Sequence, residues 1–275
     1  MSLVVNTNIS SLIVNDNLQK SAGGLRESMQ RLSSGLKINN AGDDAAGLGL
    51  SEKIKSQITA SDIANNNTQT GVNLLQVMDS DIAKIGEMAQ RMRDLAVQSA
   101  NGVYSAAERT ALDTENTQLK YEMSRIVNSS NFSGANLLDG SLNCTLQVGT
   151  NSTANDRIAV TGYNYTIAAN LNSITTNTLT TQALAQTALT NCDGAIDLIA
   201  KNRAAIGATI NRLQGTMDRT ASRKVNLESA KSVITDADIA SESAKLTRNQ
   251  ILQQAAAAML SQANQMPSLA LKLIG

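Results

Sequence analysis

Between Gly71 and Asn101, apolar residues fall at Leu75, Met78, Ile82, Ile85, Ala89, Met92 and Ala96, alternately three and four apart. This spacing returns to one helical face every half heptad and predicts a coiled-coil seam. Gly86 is the one interior glycine and no proline interrupts the run, so little in it ends the helix early. A stripe this narrow needs partner helices to be stable in water. A second stripe offers one: Leu189, Cys192, Ile196, Ile199, Ile206, Ile210, Leu213 and Met217. Arg203 falls on that seam, where its stem lies along the apolar stripe and its guanidinium reaches water or an acid.

Extended backwards from Leu75, the first seam passes through Gly71, Thr68, Ala64, Ser61, Gln57, Ile54 and Leu50. Its small and polar middle predicts either a close, partly wet helix approach or a surface matched to something outside the subunit. A helix over 45–101 is roughly 80 Å long at 1.5 Å per residue. Asp43 and Asp44 precede it. Adjacent residues diverge on a helix, so capping explains the pair better than a catalytic carboxylate dyad. Asn101-Gly102 breaks the helix, and Ser105 with Glu108 is a capping box opening a second helix to about Val127, with Leu112, Leu119, Met123 and Ile126 on one face.

From 128 to 180 the charged residues are only Asp139, Asp156 and Arg157. Leu142, Cys144, Leu146 and Val148 alternate with polar residues, which predicts a strand over 141–148 and a return at 157–160. The Thr/Asn-rich run to Thr180 reads as a loop or short insert. At the N-terminus Leu18, Leu25, Met29, Leu32 and Leu36 recur on one helix, with Asn6-Thr7-Asn8 as N-cap and Gly35 near its end. Near the C-terminus Leu252, Met259 and Met266 are seven apart, and a last helix is expected to end near Pro267. The apolar tail with Leu269, Leu271, Leu273 and Ile274 invites association. The fold class is therefore mainly α, a long antiparallel helical bundle with a small β-hairpin, in which first and last helices pair.

Composition narrows the chemistry. Aromatics are 2% of the 275 residues, so aliphatic side chains fill narrow seams instead of a thick core. Basic and acidic residues balance at 23 each, leaving no strong field for nucleic acid or an anionic membrane. No apolar run reaches the roughly 20 residues of a membrane span. Histidine is absent, which removes the commonest general base and metal ligand. Cys144 and Cys192 have no metal-ligand spacing; they read as two thiols or, outside the cell, a disulfide. No catalytic, cofactor or metal site is predicted. The N-terminus has neither basic n-region nor continuous apolar h-region, so no cleavable secretory signal is expected.

The blocks NTNISSLIVNDNLQKSAGGLRESMQRLSSGLKINNAGDDAAGLGLSEKI, QRMRDLAVQSAN (90–101) and ITDADIASESAKLTRNQILQQAAAAMLSQANQ resemble bacterial flagellin, in order, over roughly 1–140 and 180–275. The resemblance implies a minimal flagellin with D0 and D1 domains and little beyond. It divides the chain into a D0 N-terminal helix (1–42), D1 N-terminal helices with the β-hairpin (43–180), a D1 C-terminal helix (181–235) and a D0 C-terminal helix (236–275). Leu18, Leu25, Met29, Leu32, Leu252, Met259, Met266, Leu269 and Leu273 are then D0 assembly residues. Leu75, Met78, Ile82, Ile85, Met92, Ile199, Ile206, Ile210, Leu213 and Met217 form the D1 core, and Ser61, Ala64 and Thr68 fit contacts between subunits.

The resemblance further implies self-assembly into an extracellular helical filament, because repeated heterologous contacts build an open helix. It implies type III export and partners in the export chaperone, the cap and the hook-associated proteins. It also implies recognition of the monomer by host Toll-like receptor 5 through Gln90, Arg91, Leu95 and Glu115, with Arg91 and Leu95 exposed beside the seam. The alternative is a hook–filament junction protein, which shares the terminal helices but is expected to diverge in QRMRDLAVQSAN and in the C-terminal block.

Overall fold

The structure is a computed structural model that describes residues 7–165 and 171–274, with side-chain surroundings up to residue 265. The first heptad stripe lies in α2 (Ala45–Ala100), the second in α5 (Gln182–Thr235). These are flanked by α1 (Ile9–Ser34), α3 (Ala106–Ser129) and α6 (Ile239–Ile274). Between α3 and α5 lie β1 (Asn131–Phe132), β2 (Ala135–Asn136), β3 (Asn143–Gln147), β4 (Arg157–Thr161) and the single turn α4 (Asn172–Thr175). The chain is thus mainly α with two small antiparallel ladders. Its contacts form two units, one of residues 59–224 and one of residues 1–58 with 225–275.

In the first unit, Leu75, Met78, Ile82, Ile85, Ala89 and Met92 are all buried in one core. The opposing α5 seam is Cys192, Ala195, Ile199, Asn202, Ile206 and Leu213. Ile196 and Ile210 flank it, half-buried, and Met217 is half-buried as well. Arg203 is displaced from its expected seam position: Asn202 takes that place and donates its amide to the Tyr165 hydroxyl at 2.7 Å. Arg203 stands outside and forks onto Asp79 of α2 at 2.8 and 3.2 Å. Both cysteines are free, and burial pushes the Cys192 thiol up to about 11.

Ser61, Ala64, Thr68 and Gly71 are buried within the chain, which corrects their expected role between subunits. Small side chains let the elements approach closely: a Cβ on Gly71 would stand 2.2 Å from Leu146 Cδ1 of β3. Thr68 returns its hydroxyl to the Ala64 carbonyl at 2.7 Å, so its polarity is satisfied locally. Beside this stretch Lys224 of α5 meets Asp62 at 2.7 Å.

β3 and β4 pair as expected, with Cys144 opposite Val160 and Leu146 opposite Ile158 on the inward face. The tighter β1–β2 hairpin was not expected. Its signal is Ser133-Gly134, two consecutive residues with positive φ (50° and 85°) as a two-residue primed turn requires. The Thr/Asn-rich run also does more than loop: Tyr165, Leu171, Ile174 and Leu179 are buried. α3 opens on the expected capping box, Ser105 with Glu108.

In the second unit α1 pairs with α6. On α1 the covered positions Ser11, Val14, Leu18, Ser21, Leu25, Ser28 and Leu32 alternate three and four apart. On α6 they are Glu242, Leu246, Asn249, Gln253, Ala256, Leu260 and Ala263, with the same alternation. Leu252 and Met259 therefore lie off the intrachain seam, as does Met29 of α1. Asn8 caps α1 through Ser11 N at 3.0 Å and also donates to the Ala263 carbonyl at 2.8 Å. Gly35, at φ 71°, ends α1, and its carbonyl accepts from Ala237 N at 2.9 Å. Asp44 Oδ1 accepts from Gly47 N at 2.9 Å and caps the start of α2, while Asp43 does not cap as expected: it accepts from the amides of Asn39 and Asn40 and holds the turn before the helix. α6 does not end near Pro267 but continues to Ile274, since one proline removes one N–H from an otherwise strong helical sequence.

Met78→Ala, which empties a fully buried position, is expected to cost about 2–5 kcal/mol in denaturant unfolding. Met259→Ala, on an exposed face, is expected to change it by less than about 0.5 kcal/mol.

Candidate assembly interface

The α1–α6 pair leaves much of its apolar surface uncovered. On α1, Ile9, Leu12, Ile13 and Met29 are each more than half exposed, at 56–61%. On α6, Ile239, Ile251, Leu252 and Met259 are exposed. Each helix thus spends one stripe on its intrachain partner and leaves apolar side chains uncovered elsewhere: Ile9, Leu12 and Ile13 as a patch in the first turns of α1, and Ile251, Leu252 and Met259 away from the seam on α6. Of the expected assembly residues, Leu18, Leu25 and Leu32 serve the intrachain seam, half-buried, while Met29, Leu252 and Met259 are exposed. The side chains of Met266, Leu269 and Leu273 lie outside the described residues. Ile9, Leu12, Ile13 and Ile251 fall off the seven-residue repeats that pick out the expected set, and only the placement of the seam shows them uncovered.

The intrachain seam is itself weakly apolar. Ser28 and Glu242 are buried near one end of it, and the Ser28 hydroxyl holds the Glu242 carboxyl below the usual range, with Lys245 adding to this at 3.1 Å. Gly24 lets Asn249 lie close; a Cβ there would meet its amide nitrogen at 2.7 Å. Serine, asparagine and glutamine fix register and contribute little burial energy. Hence the pair gains stability from whatever covers its exposed apolar side chains.

In the other unit, the helix face around 90–95 divides into two environments. Gln90 and Arg91 are exposed, and Arg91 meets Glu115 of α3 at 2.6 Å, both side chains about half exposed. Leu95 is not exposed as expected. It is fully buried in a small cluster with Ala96, Leu179, Ala185 and Ala188. The turn before α5 and its alanine-rich first turns approach α2 here, and that closure was not legible from the heptad alone. Arg93 pairs with Asp193 of α5. Among the described residues no group of His, Cys, Asp and Glu could hold a metal, and no helix is long and apolar enough to cross a membrane.

Residues 5–143 match the bacterial flagellin N-terminal helical region, and residues 189–274 match the flagellin C-terminal helical region. The chain belongs to the bacterial flagellin family. Flagellin of Halalkalibacterium halodurans is 36% identical over 273 residues, 99% of this chain and 100% of that protein. The flagellar filament 33 kDa core protein of Treponema phagedenis is likewise 36% identical, over 99% of this chain and its whole length. The crystal structure of Bacillus cereus flagellin superposes with a TM-score of 0.50 at 30% identity, covering 60% of this chain and 94% of that one. At 275 residues this is a small flagellin whose family regions fill most of its length. Flagellins are structural subunits, not enzymes. They polymerise with themselves into the extracellular flagellar filament, and the relatives named are filament proteins, not hook–filament junction proteins.

Because the folded-state pKa of Glu242 is depressed, its contribution is complete above the ordinary glutamate range and is lost as pH falls through the folded value. The protection of α1 and α6 amides, measured as exchange relative to the intrinsic rate at each pH, is therefore expected to fall as pH drops below the ordinary glutamate range in the unsubstituted chain. Glu242→Gln should remove that pH dependence of the protection.

Proposed function

We propose that the exposed apolar side chains of the α1–α6 pair form the surfaces by which this subunit joins the filament core. The observation that carries this reading is the exposure of Ile9, Leu12, Ile13, Met29, Ile251, Leu252 and Met259 on a pair whose own seam is rich in serine, asparagine and glutamine. In this reading residues 1–42 and 236–275 are the D0 helices, and 43–180 with 181–235 are D1. Leu75, Met78, Ile82, Ile85, Met92, Ile199, Ile206, Ile210, Leu213 and Met217 hold D1 together, while Met29, Leu252, Met259, Met266, Leu269 and Leu273 meet neighbouring subunits. Burying seven large side chains at about 1.5–3 kcal/mol each supplies the drive for polymerisation. The subunit travels through the flagellar type III channel, with an export chaperone on its last helix and the cap and hook-associated proteins as assembly partners.

A second surface of the monomer is Gln90, Arg91 and Glu115, which we assign to recognition by Toll-like receptor 5. Arg91 and Glu115 are accessible and already held by one another, so a receptor meets them preordered. Leu95 contributes from beneath, by fixing the backbone on which Arg91 stands.

Leu252→Asp with Met259→Asp is expected to leave the melting of the monomer within about 2 °C of the unsubstituted chain, since both sites are exposed. The same pair should abolish filament growth in a seeded light-scattering assay. Filaments growing at the normal rate would remove these side chains from the interface. Arg91→Ala with Glu115→Ala should cost less than about 1 kcal/mol of monomer stability. It should weaken receptor binding at least about tenfold by surface plasmon resonance.

A further inference from the structure

The turn between α2 and α3 is arranged for a reaction of its own peptide bond. Asn101-Gly102 is the one Asn-Gly pair in the sequence, and both residues are exposed. Glycine leaves the peptide nitrogen that follows asparagine unshielded, because no side chain stands beside it. Packing does not demand glycine here: a Cβ on Gly102 would meet nothing within 4 Å, and its φ is not in the left-handed region. The Asn101 side-chain oxygen accepts from Val103 N at 3.2 Å, which folds the side chain back over the Gly102 peptide. The Asn101 main-chain carbonyl, which shares a peptide with the Gly102 nitrogen, accepts from Arg109 Nη2 at 2.8 Å. Arg109 is only 7% exposed, and its Nη1 is buried without a partner. Among the described residues no backbone acceptor holds the Gly102 N–H.

We propose that Asn101 is a self-modification site, converting to aspartate and isoaspartate through a succinimide, with Arg109 promoting ring closure. The Gly102 nitrogen attacks Cγ of Asn101, the bond from Cγ to the side-chain nitrogen breaks, and that nitrogen leaves as ammonia with the Gly102 proton. Solvent water then opens the ring. Cleavage at Cγ gives aspartate on an unchanged backbone; cleavage at the main-chain carbonyl gives isoaspartate, which lengthens the backbone by one carbon. When the Gly102 nitrogen gives up its proton, the charge spreads onto the Asn101 carbonyl oxygen, where the guanidinium already donates from a site withdrawn from water. The Val103 N–H likewise faces the oxygen that becomes an oxyanion on Cγ. Either product adds a carboxylate to a turn that carried no charge. The two Asp-Gly pairs are closed to the same reaction. Asp193-Gly194 lies within α5, where helical hydrogen bonds hold the backbone. At Asp139-Gly140 the Ser141 hydroxyl and amide hold the Asp139 carboxyl below the usual range, and an ionised carboxylate has no good leaving group. The proposal is independent of how the subunit assembles.

The test incubates the full chain at mildly alkaline pH, folded in buffer and unfolded in urea, and follows the tryptic peptide 94–109 by mass spectrometry and by enzymatic methylation of isoaspartate. Asn101 is expected to convert before every other asparagine, and in the folded chain at least as fast as in urea. Gly102→Ala should slow conversion about tenfold or more in both states. Arg109→Gln, with circular dichroism checking that its helices are retained, should slow conversion in the folded chain and leave the rate in urea unchanged. Slower conversion in the folded unsubstituted chain than in urea, a comparison that needs no variant, would overturn the proposal. So would an Asn101 amide that persists while other asparagines convert.

Discussion

Everything in the 59–224 unit depends on the seam between α2 and α5. Met78, Ile82, Ile85 and Met92 meet Cys192, Ile199, Ile206 and Leu213 with essentially no exposure to water. Neither helix could hold its length on intrinsic propensity, because a helix this narrow in its apolar face is stabilised chiefly by packing. Once the seam closes, the remaining features attach to it. The β3–β4 hairpin lies against the glycine gap at position 71, Tyr165 anchors the polar run through Asn202, and α3 returns along α2 to present Glu115 to Arg91. The arginine pairs that decorate the seam are exposed and contribute little to stability; they specify which faces align.

The α1–α6 pair is packed less completely. It uses the same alternation of three and four, and its seam mixes Val14, Leu18, Leu25, Leu32, Leu246 and Leu260 with serine, asparagine, glutamine and one glutamate, while Ile9, Leu12, Ile13, Ile251, Leu252 and Met259 stay exposed. In the proposed assembly that exposed surface is what the next subunit covers.

The heptad of α2 was legible from Leu75 to Ala96 because a buried seam leaves a strict periodic trace. Capping was legible too, since Ser105-x-x-Glu108 and Asp44 act over four residues. On the terminal helices periodicity identifies apolar residues but not which of them the chain uses for itself, so Leu252 and Met259 lie off the intrachain seam. Small residues misled in the other direction. Ser61, Ala64 and Thr68 look like a place for a neighbour, yet they are the gaps into which this chain packs its own elements. Leu95 was hidden by Ala185 and Ala188, residues too small and too distant in sequence to signal that they would close over it.

The claim at the centre of this account is that α1 and α6 complete their burial only in the polymer, whereas the α2–α5 seam is complete in the monomer. Amide hydrogen exchange on monomer and filament at the same pH measures both at once. Amides of residues 72–96 should be strongly protected in each state. Those of residues 9–32 and 242–263 should exchange rapidly in the monomer and slow by several orders of magnitude in the filament. Equal protection of the terminal helices in the two states would contradict the account.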